Sequence, residues 1–349
     1  MPEYETKVSI IIPHWNGIDT LSECLQSLSQ TNFQFYEIIV VDNASSDGSQ
    51  EWIKKTYPDI GLIENTRNLG YAGGCNLGAN NAKGSLIVFL NNDTIQDKDW
   101  LNSLVAIMDE NKKIAAVQPK ILNYYDKTIF DYAGGSGGYM DIFCFPYARG
   151  RLFSNQEIDS GQYDDRRQCF WASGTALMVR KELFFRAGEF DEKFFAHMEE
   201  IDLCWRLQAM GYQIWVEPRS IVYHKNAISL PMQTHKKYYL NHRNSLLMLF
   251  GNYSLLNAFY LGIMRIIFEF IALLYAVIKF DWNHVTGIIR ALVWIFLHPF
   301  TIIKKRSRFK FIRIDTDKKI MKNIYKKSVV ISHYLKGEKT YLEIDSKAS

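Results

Sequence analysis

A carboxylate that closes a buried apolar strand can hold a cation, and Asp93 stands in such a place. The run Leu86-Ile87-Val88-Phe89-Leu90 breaks at Asn91-Asn92-Asp93. Five unbroken apolar residues suit a strand buried on both faces of a parallel sheet. Sheets of that kind bind ligands beyond the carboxyl ends of their strands. Asp93 is a hard oxygen ligand and suits Mg2+ or Mn2+. His224, just after Ile221-Val222-Tyr223, is a candidate second ligand. A different chemistry is available at Glu199, Glu200 and Asp202, which open a helical run beside Phe195 and His197. A carboxylate at a helix start stays ionised near neutral pH and suits a general base. Each feature has an ordinary explanation when taken alone. Asn and Asp favour turns, acids favour helix starts, and a His after a strand is commonly a surface residue. The reading rests on their occurring together.

Elements must bring them together. Val8 to Ile12, Glu37 to Val41, Leu62 to Glu64 and Leu86 to Leu90 read as strands. Between them, helices are expected after a Thr20/Glu23 capping box, over Glu51 to Tyr57, and up to Lys83 from a small-residue loop at Asn68 to Gly74. That alternation predicts a βαβ layout with a parallel sheet. Asp99 is expected to cap a further helix, followed by a strand at Ile114 to Val117. Gly174 to Val179, Ile214 to Val216 and Ile221 to Tyr223 are expected strands, and Glu199 to Met210 a helix. Residues 119–168 are the least readable part. The polar strand ends Pro13 to Asn16, Asp42, Asn68 and Asp93 would converge on one sheet edge, as a nucleotide site requires. There Asp42 can accept from a base N–H, and Asn68 with the amides near Gly70 can hold ribose or phosphate. No GxGxxG occurs in Gly70 to Gly78, so a dehydrogenase fingerprint is not supported.

The 349 residues are 48% hydrophobic, enough for a substantial core. The net charge is +4, with the basic excess concentrated after Thr301 and a mildly acidic body before it. This pattern points to a membrane surface as partner for the basic part and away from nucleic acid. Cys24, Cys75, Cys144, Cys169 and Cys204 show no metal-type spacing and read as buried thiols in a reducing compartment. The polar start at Met1 predicts no signal peptide. Leu255 to Ile278 and Val285 to Ile303 are apolar but contain Arg265, Glu269 and Arg290. A charge at the centre of a span is costly, and Arg265 and Glu269 are spaced to pair on one helix face. Helices lying on the cytoplasmic face of the membrane are therefore expected, with the basic run from Lys304 adding attraction. The competing expectation is a helical subdomain packed on the body or on a second copy in a homodimer.

Taken in order, several stretches resemble the family 2 inverting glycosyltransferases of the GT-A fold, most closely their rhamnosyltransferase-like branch. They are Val8-Ser9-Ile10-Ile11-Ile12-Pro13, Val40-Val41-Asp42-Asn43-Ala44-Ser45-Ser46-Asp47-Gly48, Asn68-Leu69-Gly70-Tyr71-Ala72-Gly73-Gly74 and Leu90-Asn91-Asn92-Asp93. Further on come Ala172-Ser173-Gly174-Thr175-Ala176, Glu199-Glu200-Ile201-Asp202-Leu203-Cys204-Trp205-Arg206 and Val222-Tyr223-His224. The resemblance implies an α/β GT-A fold: a Rossmann-like mixed sheet with helices on both faces and a C-terminal apolar helical extension. It implies a catalytic domain over 1–245, with a nucleotide-sugar half to about 118 and an acceptor half over 119–245. An apolar membrane-associating segment over 246–312 and a basic tail over 313–349 would follow. Pro13, Trp15, Asn16, Asp42, Asn68, Gly70, Ala72, Asn91 and Asn92 would line a UDP- or dTDP-sugar. Asp93 and His224 would hold Mn2+ or Mg2+, and Glu200 would be the catalytic base. Trp171, Gly174, Glu199 and Asp202 would meet the acceptor, a glycan or lipid-linked precursor, with rhamnose the expected sugar. Two positions depart from the family pattern: Asn91 replaces the first acid of the DXD triplet, and Glu200 is one methylene longer than the usual Asp. Two rivals are a sugar-nucleotide nucleotidyltransferase and an inactive membrane-bound scaffold of the same fold. The first lacks its Lys-bearing glycine loop here, and intact Asp93, Glu200 and His224 argue against the second.

Overall fold

The computed structural model describes residues 6–225 and 234–346. The opening residues from Met1, read above for a signal peptide, lie outside the described residues. The chain begins β1 (Val8–His14), α1 (Ile18–Leu28), β2 (Tyr36–Asp42), α2 (Ser49–Thr56), β3 (Gly61–Glu64), α3 (Gly70–Asn81) and β4 (Leu86–Leu90). β4, β1, β2 and β3 are adjacent and parallel, so their carboxyl ends share one edge. All five residues of β4 are buried, as its unbroken apolar run requires. In β1, Ile10 and Ile12 join the cluster under α1, whereas Ile11 joins the one under α3. The two-residue period of the strand thus feeds a core on each face of the sheet.

Next come β5 (Thr94–Gln96), α4 (Trp100–Glu110) and β6 (Ile114–Asn123). A small antiparallel sheet follows, of β7 (Gly138–Met140), β8 (Pro146–Ala148), β9 (Arg151–Leu152) and β10 (Asn155–Gln156). Then come β11 (Arg167–Cys169), β12 (Ala176–Arg180), α5 (Lys181–Arg186), α6 (Glu199–Ala209) and β13 (Gln213–His224). The main sheet has nine strands in the order β11-β13-β6-β12-β4-β1-β2-β3, with β5 on β13. β12 runs against both β4 and β6, and β13 runs with β6, which makes the sheet mixed.

Local details differ from the sequence reading. α1 starts at Ile18 behind left-handed Gly17, so Thr20 lies within its first turn and no capping box forms. Gly17 N–H instead donates to the Asp47 carboxylate. Asp99 stands at the start of α4 but makes no cap bond; its Oδ1 accepts from the Asn32 and Asn102 amides. The expected loop at 68–74 is already helical from Gly70, because glycines there let α3 lie against β1 and β2. A Cβ on Gly78 would fall 2.3 Å from an Ile11 methyl. The two expected short strands before His224 are one, β13, with its register shifted between Glu217 and Ile221.

Four helices then pack beside α6: α7 (His235–Asn252), α8 (Leu255–Ile278), α9 (Trp282–Leu297) and α10 (Pro299–Ile312). α7 crosses the expected 245/246 boundary unbroken. Arg265 and Glu269 of α8 pair at 2.6 Å as their spacing predicts, and both turn inward, where the His242 ring meets Glu269 at 2.6 Å. The outer face of α8 leaves Phe259, Phe270, Leu274 and Ile278 exposed. Among the described residues, α8 is the helix long and apolar enough to cross a membrane unaided. The basic run is not uniformly free. Lys305 is buried against Asp202, and Arg306 donates to the Phe250 and Tyr253 carbonyls, while Lys304, Arg308 and Lys310 stay exposed. Nor are residues 313–346 a loose tail. They form α11 (Asp317–Ile320), α12 (Val329–Lys336) and α13 (Tyr341–Asp345), which fold back on the small sheet. Tyr341 packs against Tyr139, Tyr147 and Tyr163 there.

Candidate active site

Four chain segments meet at the carboxyl edge of the sheet. β1 ends at His14, whose register partner on β2 is Asp42. His14 is buried, and burial lowers its pKa. Its Nδ1 lies 2.9 Å from the Asn92 amide nitrogen and its Nε2 2.9 Å from the Ser49 hydroxyl. Asn92 can only donate from that nitrogen, so the neutral ring carries its proton on Nε2. His14 therefore ties the triplet after β4 to the start of α2. The Asp42 carboxylate is buried; Oδ2 accepts from Ser45 N–H at 3.0 Å and the Gln50 amide at 2.6 Å, and Oδ1 has no partner. A buried acceptor left open is costly unless a ligand fills it. Trp15 is half exposed over the same edge. Asn16 sits at φ 55° and is held by Ser45 and Ser46. Pro13 lies against α3, near Gly74. Asn68 Oδ1 accepts from Gly70 N–H at 2.8 Å, which fixes the entry to α3.

Beyond β4, Asp93 and His224 are both buried and lie 3.2 Å apart, Oδ1 to Nε2. β5 pairs with β13 so that His224 stands opposite Thr94, which brings the two together. The other ring nitrogen, Nδ1, is 2.9 Å from Asp131 Oδ1, and Asn91 Nδ2 is 3.4 Å from Nε2. Burial alone would lower the ring, but Asp93 and Asp131 outweigh it and hold His224 up to about 10. Burial opposes Asp93's ionisation, yet the His224 charge leaves its carboxyl below the usual range. A divalent cation would have to displace the Nε2 proton, after which Asp93 and His224 offer it one oxygen and one nitrogen ligand. Asp131 fixes the ring so that Nε2 faces Asp93, which is how a carboxylate behind a metal-binding imidazole works. Among the described residues, no three such side chains could hold a metal alone. Mg2+ sites commonly take one or two protein ligands plus phosphate oxygens and water. Asp131 was missing from the sequence reading. The sole local signal is an acid between Ile129-Phe130 and the glycine loop.

Across α3 lies the start of α6. Phe195 C=O accepts from Ala72 N–H at 3.2 Å, and a Cβ on Gly70 (φ 73°) would fall 2.5 Å from that oxygen. Only a glycine there lets this loop approach the donor edge. Tyr71 donates to the Gly174 carbonyl, another link that sequence reasoning missed. Glu199 is buried and Glu200 half-buried, and each keeps an oxygen without a partner, as does His197 Nε2. Burial raises both carboxyls: Glu200 to about 7, against opposing backbone N–H donors, and Glu199 well up, with the Glu200 charge adding. A carboxyl tuned near neutrality is suited to proton transfer. Asp202 does not join them. It is fully buried, meeting Arg206 Nε at 2.9 Å, Lys305 Nζ at 2.7 Å and the Asn252 amide at 2.8 Å. It braces α6 and α10 and has no open edge for an acceptor. Trp171 is likewise buried, its indole N–H donating to the Tyr139 carbonyl and its ring over Gly138, so it is a packing residue.

Residues 9–184 match the family model described as glycosyl transferase family 2. The chain belongs to glycosyl transferase family 2. This glycosyltransferase is 27% identical over 228 residues to the O-antigen biosynthesis protein RfbC of Myxococcus xanthus, covering 63% of this chain and 17% of that one. It is 25% identical over 225 residues to the N-acetylglucosaminyl-diphospho-decaprenol L-rhamnosyltransferase of Mycobacterium tuberculosis, covering 59% of this chain and 72% of the relative. The chain therefore matches a small part of the first relative and most of the second. The crystal structure of GalNAc-T7 with UDP, GalNAc and Mn2+ superposes with a TM-score of 0.64 at 17% identity, over 95% of this chain and 58% of that one. At that identity the likeness establishes the fold, which is GT-A with a C-terminal helical region. The expected fold and enzyme class thus hold.

Proposed function

We propose that this glycosyltransferase moves a sugar, with inversion, from a UDP- or dTDP-sugar to a hydroxyl of a cell-surface polysaccharide or lipid-linked precursor. The observation that carries this is the pairing of two open features across α3. Asp42 and the Asp93–His224–Asp131 chain lie on one side, and two unsatisfied glutamates on the other. Asp42 Oδ1 is free to accept from a base N–H, and Asn68, whose Oδ1 already takes the Gly70 N–H, would meet the ribose through its amide nitrogen. A divalent cation held by Asp93 and His224 would offset charge on the leaving diphosphate, worth several kcal/mol. Glu200 takes the proton of the acceptor hydroxyl on its unpartnered oxygen. The hydroxyl oxygen then bonds to the anomeric carbon as the bond to the diphosphate breaks on the opposite face. Rhamnose is the sugar we favour, supported by the named activity of the mycobacterial relative.

We also read α8 to α10 as lying on the cytoplasmic face of a membrane. Phe259 and Phe270 of α8, Phe296 of α9 and Phe300 of α10 are exposed, as are Lys304, Arg308 and Lys310 further along α10. Exposed apolar rings together with exposed basic side chains suit helices that lie in a membrane interface. On that division the apolar segment would run from α8 to the end of α10, Leu255 to Ile312, later than a start at 246 because α7 continues unbroken to Asn252. The test of the catalytic reading is Glu200→Gln, which keeps size and hydrogen bonding but removes basicity. Turnover of UDP- and dTDP-sugars with Mn2+ should fall about 10²–10⁴-fold, with nucleotide binding by calorimetry nearly unchanged. Full turnover by this variant would move the base to Glu199.

A further inference from the structure

The loop that delivers α6 is backbone-strained. Phe195 (φ 65°), His197 (φ 69°) and Met198 (φ 72°) all sit in the left-handed region, none of them glycine. Such residues persist only where surrounding contacts over-determine them. The contacts here come from α7. Asn244 is fully buried, and the two N–H bonds of its amide, one of them shared, face three carbonyls of the loop: Phe194 at 3.0 Å, Ala196 at 2.9 Å and His197 at 2.7 Å. Its Oδ1 accepts from Arg243 Nε at 2.8 Å and Nη2 at 2.6 Å. A guanidinium has donors only, so this pair fixes which end of the Asn244 amide faces the loop. Arg243 adds its own bonds to the Lys193 and Phe194 carbonyls at 2.7 and 3.0 Å. Its guanidinium lies 5.0 Å from the Tyr239 ring and 5.2 Å from Trp294 of α9. On the opposite side the loop is met by Ala72 N–H.

We propose that Asn244, oriented by Arg243, is a positioning residue that holds Glu200 in place by fastening the loop at 194–197. The inference rests on Glu200 being the base. It assigns to α7, an element outside the matched family region, a share in the transfer step. Asn244→Asp is the informative change. It keeps the shape and the Arg243 contact but turns an oxygen toward three carbonyl oxygens. In the full-length enzyme, turnover should fall about 100-fold, the scale of a 1 Å misplacement, with the KM for donor sugar changed less than about 2-fold. In a Glu200→Gln background the same change should cost less than about 2-fold more, because residues acting through one group are not additive. A fully structural role would lower both backgrounds alike, and that result overturns the proposal, as does normal turnover of Asn244→Asp. If Asn244→Asp fails to fold, Arg243→Lys replaces it: loss of the two-pronged hold on Oδ1 should lower turnover several-fold, and unchanged turnover refutes the role. Normal turnover of Glu200→Gln alone would instead fell the base assignment, and the positioning role with it.

Discussion

The donor edge and the α6 loop differ in how they are held. Along the donor edge, Asp42, Asn68 and Asn92 are fixed by neighbours at strand ends or helix starts, and most of those bonds stay within residues 14–92. The α6 loop is held from far away in sequence, by Asn244 and Arg243 on α7, while Asp202 behind it is pinned by Lys305 on α10. The first kind of site is built into the sheet. The second depends on the helical extension being docked, so on the proposed assignment of Glu200 the contacts of α7 govern the reacting group.

The comparison can be broken at Lys305. Its aliphatic stem lies over Gly251 and its ammonium pairs with two buried or half-buried acids, Asp202 at 2.7 Å and Asp191 at 3.2 Å. Lys305→Met leaves Asp202 underpaired in the core and should destabilise the enzyme by about 3 kcal/mol, the low end for a broken buried pair because Arg206 remains. Denaturant melts should show this loss, and Asp202→Asn in the same chain should recover part of it. Nucleotide affinity of the folded fraction should hardly move. If Lys305→Met weakens nucleotide binding as much as it weakens stability, the two regions are not separately built.

On the donor side, Asp131→Asn keeps size but removes the charge behind His224. Mn2+ affinity of the folded protein, measured by the metal dependence of UDP binding, should drop about 10–100-fold, and the melting temperature without metal should fall as well, because the buried pair with His224 is broken. An unchanged Mn2+ dependence would separate His224 from cation binding.

The smallest expected effect concerns the outer face. Phe259→Ser and Phe296→Ser each remove an exposed ring worth about 1.5–3 kcal/mol if it becomes buried. Co-flotation with anionic vesicles at low salt should weaken roughly tenfold or more per change. A parent protein that fails to float yet forms a dimer would put the apolar face against a second copy.

The donor edge was legible in the sequence because each of its parts follows a strand. An apolar run that stops at Asn or Asp announces both the strand and the residue beyond it. The fold class followed from the same alternation. Asp131, His14, Tyr71 and Asn244 were not legible in their roles, since each works through a partner that packing supplies. Asp131 lies 93 positions from His224, and Asn244 lies 47 to 50 from the carbonyls it holds. Periodicity finds faces of helices and strands, but not which polar side chain on a buried face meets a distant loop. Trp171 and Asp202 are buried away from an acceptor for the complementary reason, Asp202 bracing its helix as its place beyond Glu200 also suggests. Their neighbours in sequence belong to the site, while their own side chains point into the core.

The fold-back of α12 and α13 onto the small sheet sets an order of events during synthesis. Asp141 receives Val329 N–H and Glu157 receives Tyr341 N–H, contacts spanning 188 and 184 residues. The donor-side strands are complete once β4 has left the ribosome, but the ring that joins the tyrosines at 139, 147 and 163 comes only with Tyr341. At about 5–20 residues per second, that interval is on the order of 10–40 s. For that time the nascent chain carries a partly covered aromatic surface, a ready site for a chaperone and a hazard at high expression.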